Sequence, residues 1–459
     1  MLKNIINTFA NSFKVPELKS RIFFTLLVLL VCRLVAMIPI PGLDGSALTK
    51  YMSENQNAGG GLLGMYSMFT GGALEKCAIG SLGIMPYISA TIIIQLLTAV
   101  IPQLSKLARE EGGRAKVVQY GRYLTVLLCL GQGIFMTLGW ENAEKVLPNF
   151  QGSLVLYENL WWYRVQTTLV LTVGTLMLMW FGEQITERGI GNGVSLVITI
   201  GILARLPVAV RDLQLMFSPV GEDPARFGIF SAIALILVLL LVVAGIIAVT
   251  QAQRKIPVQY AQRAVGRKVY AGQSSFMPLR VNYAGVMPVI FAQAILMFPG
   301  TIFQQIGQRF DSKFWMDLAR LFDPMSFSYM FIFGLMILFF SYFWVATQFN
   351  EIQISDDLKK NGGYIPGVRP GPKTTEFLHN TMSRITLAGA VFLTAIAVIP
   401  LLMNKFMNMP HEVANFFGGT GMLILVGVML DTMRQVESHL LMRHYDGFLK
   451  KGGRIRGRF

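Results

Sequence analysis

Apolar runs of about twenty residues, the length of one helical crossing of a bilayer, recur from one end of this chain to the other and leave little choice of fold. Spans are expected near residues 22–40, 77–101, 123–140, 165–182 and 193–210, and a second set near 228–250, 284–303, 328–347, 385–403 and 413–431. Charge is correspondingly scarce: 14% of the 459 residues are charged and 53% are hydrophobic, where soluble chains carry about 25% charged residues. The chain reads as an all-α polytopic membrane protein with ten transmembrane helices.

Five plus five is also what an internal repeat predicts. Gly83–Ala90, GIMPYISA, returns as Gly285–Ala292, GVMPVIFA, with five of the eight positions identical, and each copy opens an apolar segment. Repeated apolar helices with Gly/Pro-interrupted segments at corresponding places mark membrane transport folds whose pathway runs between the two halves. An even number of crossings puts both termini on one side, and the excess of Lys and Arg identifies that side as cytoplasmic. Residues 102–122, 252–282 and the tail after 447 are basic, whereas 141–160, 211–226 and 304–323 mix signs. The expected layout is a basic amphipathic N-terminus at 1–21, an N-terminal half at 22–210, an external hinge loop at 211–227, a C-terminal half at 228–437 with cytoplasmic loops at 252–282 and 350–383, and a basic tail at 438–459. No small-residue cleavage site precedes IPIPG at 38–42, so the first apolar run is expected to stay as a span.

One apolar segment does not fit this scheme. Gly59–Gly72 is bracketed by glycines and too short to cross, as a re-entrant or interfacial piece would be. It reads either as a small movable stopper on glycine hinges or as a loop on the outer leaflet. On the helix opened by GIMP, Ile84, Ile88, Thr91 and Gln95 fall on one face, apolar at one end and polar at the other. Such a stripe suits a cavity wall narrowing to a dry neck, and it also suits plain helix packing.

Other chemistries find little support. Arg33 and Arg205 lie toward the outer ends of their spans, and Glu183 and Asp431 lie at cytoplasmic ends. An ion-coupled transporter needs ionisable groups at mid-membrane. The three cysteines do not form a complete disulfide framework, and the four histidines lack metal-ligand spacing. There is no phosphate-cradling Walker sequence. Neither a catalytic set nor a metal or cofactor site is expected, and nucleotide-driven work would have to come from a partner. The basic loops, with Tyr260 and Tyr270 interleaved and Arg369 presented by the Pro/Gly-stiffened run NGGYIPGVRPGPK, suit RNA phosphates or an acidic protein surface. Charge bias alone would also explain them.

The motifs IPIPG (38–42), MFTGGAL (68–74), LGIMPYISATIIIQLL (82–97), GEQITERGIGNG (182–193), GRKVYAGQSS (266–275), VNYAGVMPVIFA (281–292), PGVRPG (366–371) and FGGTGMLI (417–424) together resemble the SecY/Sec61-alpha family, the channel-forming subunits of protein translocases. The resemblance implies a clamshell of two inverted five-helix halves around an hourglass pore, serving as a passive gated conduit for unfolded polypeptides. Matching motif by motif, the pore ring falls on Ile84, Ile88, Ile198, Ile290 and Ile424. The plug falls on about residues 62–74, with Leu62, Leu63, Met65, Tyr66, Met68, Phe69, Gly71 and Gly72. Candidates on the lateral gate are Ser89, Gln95 and Phe298, and docking to the motor or ribosome falls to Arg254, Lys255, Arg267, Lys268 and Arg369. The partners so implied are the small subunits SecE and SecG, the SecA ATPase, the ribosome, signal-sequence-bearing polypeptides and membrane lipids, at the bacterial cytoplasmic membrane. The outer loops 141–160 and 304–323 do not align, and no role is carried onto them. An alternating-access transporter and a membrane scaffold without a conduit are the rival readings.

Overall fold

The computed structural model describes residues 15–54, 62–110, 112–146, 150, 152–217, 229–260, 263–265, 268–270, 274–310, 312–324, 326–407, 413, 414, 416 and 419–451. The N-terminal half comprises α1 (Pro16–Val35), α2 (Gly45–Glu54), α3 (Leu62–Thr70), α4 (Met85–Val100), α5 (Pro102–Arg109), α6 (Gly113–Glu141), α7 (Ala143–Val146), α8 (Leu160–Arg188), α9 (Gly193–Ala204) and α10 (Leu206–Phe217). The C-terminal half comprises α11 (Ile229–Gln251), β1 (Gln253–Tyr260), β2 (Arg263–Val265), β3 (Lys268–Tyr270), β4 (Ser274–Arg280), α12 (Met287–Phe310), α13 (Lys313–Leu321), α14 (Phe327–Gln348), α15 (Glu351–Lys360), β5 (Gly363–Tyr364), α16 (Pro372–Met407) and α17 (Thr420–Lys451).

A helix lies on every expected span. Among the described residues six are long and apolar enough to cross a bilayer by length and composition, with α9 and α10 taken together as one of them. A seventh is added if α4 and α5, bent by 106° at their junction, count as one. The bend has a local cause: Pro102 forces Ile101 into extended backbone at ψ 114°, as the residue before a proline usually is. Helix α1 falls short because Glu17, Lys19, Arg21 and Arg33 punctuate it, and α17 because Asp431, Arg434 and Glu437 do. Outward faces remain apolar. On α1, Phe23, Leu26, Leu27, Leu30 and Leu34 are all exposed at helical spacing, a stripe that a soluble surface does not tolerate but lipid requires.

The repeat is visible in the backbone. Gly83 and Gly285 take φ of +60° and +63°, the left-handed region that only glycine enters without cost. Each is followed two residues later by a helix starting Met-Pro, with proline at a position where its missing N–H is not needed. Packing repeats as well. In the first half α4 packs on α6, α6 on α8, α8 on α9, and α1 covers α8 and α9; in the second, α12 packs on α14, α14 on α16, α16 on α17, and α11 covers α16 and α17. The halves meet where α4 touches α12 and α9 touches α17.

Several expected boundaries are corrected. The first span, expected to reach residue 40, ends at Val35, and Ile38 and Ile40 instead exchange backbone bonds of 2.9 Å with Ile79 and Cys77. Pro39 and Pro41 have no N–H to continue a helix. The second begins at Met85 rather than 77, held back by the Gly83 turn. Helix α16 begins thirteen residues before the expected 385, and α17 starts at Thr420 and runs on through the expected tail to Lys451. The stretches 252–282 and 350–383, expected as loops, hold β1 to β4, α15, β5 and the start of α16. Strand β1 lies between β4 and β5, with Arg254 opposite Leu279 and Gln259 opposite Tyr364.

Candidate functional site

Each of the five isoleucines expected to form a pore ring sits where a helix end or a close helix contact holds it. Ile84 caps α4 and Ile88 follows one turn on, its N–H bonded to the Ile84 carbonyl at 3.2 Å. Ile290 holds the equivalent place on α12, bonded to Val286 at 3.3 Å. Asn192 caps α9 by accepting the Ser195 N–H at 3.2 Å. Gly193 permits α9 to press on α8, since a Cβ there would lie 1.9 Å from the Gly182 carbonyl oxygen. This fixes Ile198, and Ile424 follows from the first turn of α17. All five are at most 3% exposed and belong to one hydrophobic cluster fed by both halves.

Met68 and Phe69 of α3 enter the same cluster, and α3 touches both α9 and α12. The short helix therefore shares one buried cluster with the isoleucines. It ends at Thr70 and not at 74, because Gly71 turns left-handed at φ +64°. The N–H groups of Gly71 and Gly72 then reach the Met68 and Ser67 carbonyls at 3.2 and 2.9 Å, which is the paired bonding of a Schellman end. Tyr66 donates its hydroxyl to the Leu82 carbonyl at 3.1 Å. The side chains of Leu62, Leu63 and Met65 lie outside the described residues.

Of the gate candidates, Ser89 is half-buried and Gln95 exposed on α4. Phe298 lies on α12, and its side chain is outside the described residues. Helices α4 and α12 meet directly along this seam. Among the described residues, α12 also carries Gln293, 2% exposed with Oε1 unpartnered, a polar group that the apolar reading of that segment passed over.

A cavity of about 440 Å³ is lined by residues of both halves, among them Asn192, Arg280, Asn282, Asp431 and Arg434. Arg434 donates to the Thr250 carbonyl at 2.6 Å and stands 3.5 Å from Asp431. At its rim the Gly191 N–H donates to Gln435 Oε1 at 2.7 Å, joining the two halves. Arg280, which lines this cavity, also ends strand β4 of the β1–β4–β5 sheet. Ile256 and Val258 are buried and Arg254 and Lys255 exposed, with Ile256, Leu279 and Ile365 packed on Phe349 and Leu378 near the ends of α14 and α16. Arg369 is exposed beside them, its carbonyl accepting from Thr374 Oγ1 at 3.0 Å. Lys268 lies in β3 with its side chain undescribed, and Arg267 falls outside the described residues.

The chain is similar to known proteins of one family. The family model described as SecY matches residues 78–433. The chain is 41% identical over 450 residues to the protein translocase subunit SecY of Chlamydia trachomatis, covering 97% of this chain and 98% of that one. It is 41% identical over 439 residues to the subunit of the same name from Escherichia coli, covering 95% and 94%. Among solved structures, a protein-conducting channel superposes with a TM-score of 0.57 at 16% identity over 91% of each chain. A SecY structure with a plug domain that stabilises the closed state and maintains a membrane seal gives 0.55 at 17% over 91% of each. Sec61 in the canine ribosome-channel complex from the endoplasmic reticulum gives 0.55 at 16%, again over 91% of each.

Proposed function

This chain belongs to the SecY family of protein translocase subunits, and from that membership we propose that it is the gated channel through which unfolded polypeptides cross the membrane or leave sideways into lipid. The family is one of channels and not of enzymes, so the driving force comes from outside: the SecA ATPase or a translating ribosome. One observation carries the mechanism at residue level, the meeting of Ile84, Ile88, Ile198, Ile290 and Ile424 with Met68 and Phe69 in a single buried cluster. An apolar ring of this kind expels water and blocks ions without binding them, and it can stretch around a passing chain because no hydrogen bond spans it. Helix α3 is the plug that covers it at rest.

The seam between α4 and α12, with Ser89, Gln95 and Phe298 along it, is the lateral gate where a signal sequence docks. Arg254, Lys255 and Arg369 form the docking surface for motor or ribosome, with Arg267 and Lys268 assigned from sequence. The ten expected spans cross the bacterial cytoplasmic membrane with both termini inside, SecE and SecG completing the complex. The test is reconstitution: with SecE and SecG in liposomes, the chain supports ATP- and SecA-dependent uptake of a signal-bearing precursor. Uptake of a small solute driven by an ion gradient, without precursor transport, would overturn the proposal.

A further inference from the structure

Arg33 and Arg205, which the sequence places near the outer ends of their helices, both turn inward onto the short helix α3. Arg33 Nη2 donates to the Gly71 carbonyl at 3.1 Å, where the helix end carries partial negative charge. Arg205 is 8% exposed and pairs with Glu75, Nη1 reaching Oε2 at 3.0 Å and Nη2 reaching Oε1. The same Nη2 donates to the hydroxyl of Ser67, and Ser67 donates in turn to Glu75 Oε1 at 2.7 Å. Ser67 is fully buried on α3, so its hydroxyl is held by a charge on either side. Hydrogen bonds to charged groups are about twice as strong as neutral ones.

Helix α9 ties this network to the constriction. Ile198, Gly201 and Arg205 fall at i, i+3 and i+7, on one face. Gly201 meets the end of α3 so closely that a Cβ on it would lie 2.9 Å from the Phe69 carbonyl oxygen. One helix face therefore carries a ring residue, the backbone contact with α3, and the cation that grips it.

We propose that Ser67, Glu75 and Arg205, with Arg33 on the Gly71 carbonyl, are a polar latch that sets how much work a client must do to displace the plug. The proposal rests on the channel reading above, and it makes Arg205 and Glu75 positioning residues that act through Ser67. Displacing α3 breaks both bonds of the Ser67 hydroxyl and strips the Gly71 carbonyl from Arg33, while the isoleucine cluster loses Met68 and Phe69. Removing the latch favours the open state alone, so a signal sequence with less binding energy then suffices to open the channel.

The experiment records resting ion conductance in planar bilayers, and export of precursors with progressively less apolar signal sequences, for the complete complex. Variants are Ser67→Ala, Arg205→Gln, Glu75→Gln, the Ser67→Ala/Glu75→Gln double, and deletion of residues 62–72. Ser67→Ala removes only a hydroxyl and leaves the charge pair intact, so it decides the matter if a charge variant fails to assemble. Each single variant is expected to raise resting conductance by about tenfold, the scale on which a hydrogen bond to a charged group shifts a two-state equilibrium, and to accept weaker signals. The double variant should exceed the larger single by little, because both remove the same contact. Unchanged conductance and unchanged signal requirement for Ser67→Ala and Arg205→Gln, beside a leaking deletion, would overturn the latch alone. A deletion that does not leak would overturn the channel reading with it.

Discussion

The backbone N–H of Gly191 donates to Oε1 of Gln435 across 244 residues of chain. Gly191 lies in the GIGNG turn before α9 and Gln435 on α17, so the bond fastens one half to the other at the rim of the cavity that Asn192 and Gln435 line. A neutral hydrogen bond contributes about 0.5–1.5 kcal/mol net. Gln435→Leu is therefore expected to raise resting conductance by roughly two- to tenfold, whereas Gln435→Glu, which keeps the acceptor, stays near the parent. Equal leakage in both variants would count against the bond as a fastener.

Polar substitution tests the ring. Ile88→Asn and Ile290→Asn place an amide at equivalent points of the two halves, where hydration of the neck becomes favourable. Resting conductance in planar bilayers should rise by about tenfold for either, and further for the pair. Silence in all three would fit a scaffold that encloses no waterway.

The two repeat glycines differ in what surrounds them. A left-handed φ costs an L-residue about 1–2 kcal/mol, and both Gly83→Ala and Gly285→Ala incur it. Beyond that, a Cβ on Gly83 would meet Thr70 Cγ2 at 3.1 Å, whereas one on Gly285 finds nothing nearer than Asp431 Oδ2 at 3.7 Å. Thermal unfolding of the detergent-solubilised complex should show Gly83→Ala as the less stable variant, and resting conductance should rise only there because Thr70 ends α3.

Charge reversal at Arg369 addresses docking. The side chain is exposed and, among the described residues, only its carbonyl is bonded within the loop, so Arg369→Glu should change stability by no more than about 0.5 kcal/mol. SecA-driven export into liposomes should nonetheless fall by about tenfold, since reversing a contact charge repels an acidic partner surface. Undiminished export would remove Arg369 from the docking surface.

Helix positions were legible because a bilayer makes apolar length decisive, and the Met-Pro repeat marked the same turn in both halves. What the residues hid was of two kinds. Strand β1 reads QRKIPVQY, and its period-two burial at Ile256 and Val258 is short enough to vanish among basic residues and a proline. The strand forms because α14 and α16 extend far enough to offer Phe349 and Leu378 as a floor. The grip of Arg205 on Glu75 spans 130 residues. No local pattern announces it, and each side chain taken alone looks like a charge seeking water.

Nine residues make a helix of α3, and a helix of that length does not hold its shape in water by itself, where about 12–15 residues are marginal. Its form is lent by the walls around it: the Gly201 backbone, the two guanidiniums and the floor of isoleucines. On the proposal that α3 is the plug, displacement would take these walls away and the cork would soften. Reclosure after a passenger has gone would then be a small folding reaction, with the empty funnel as its template.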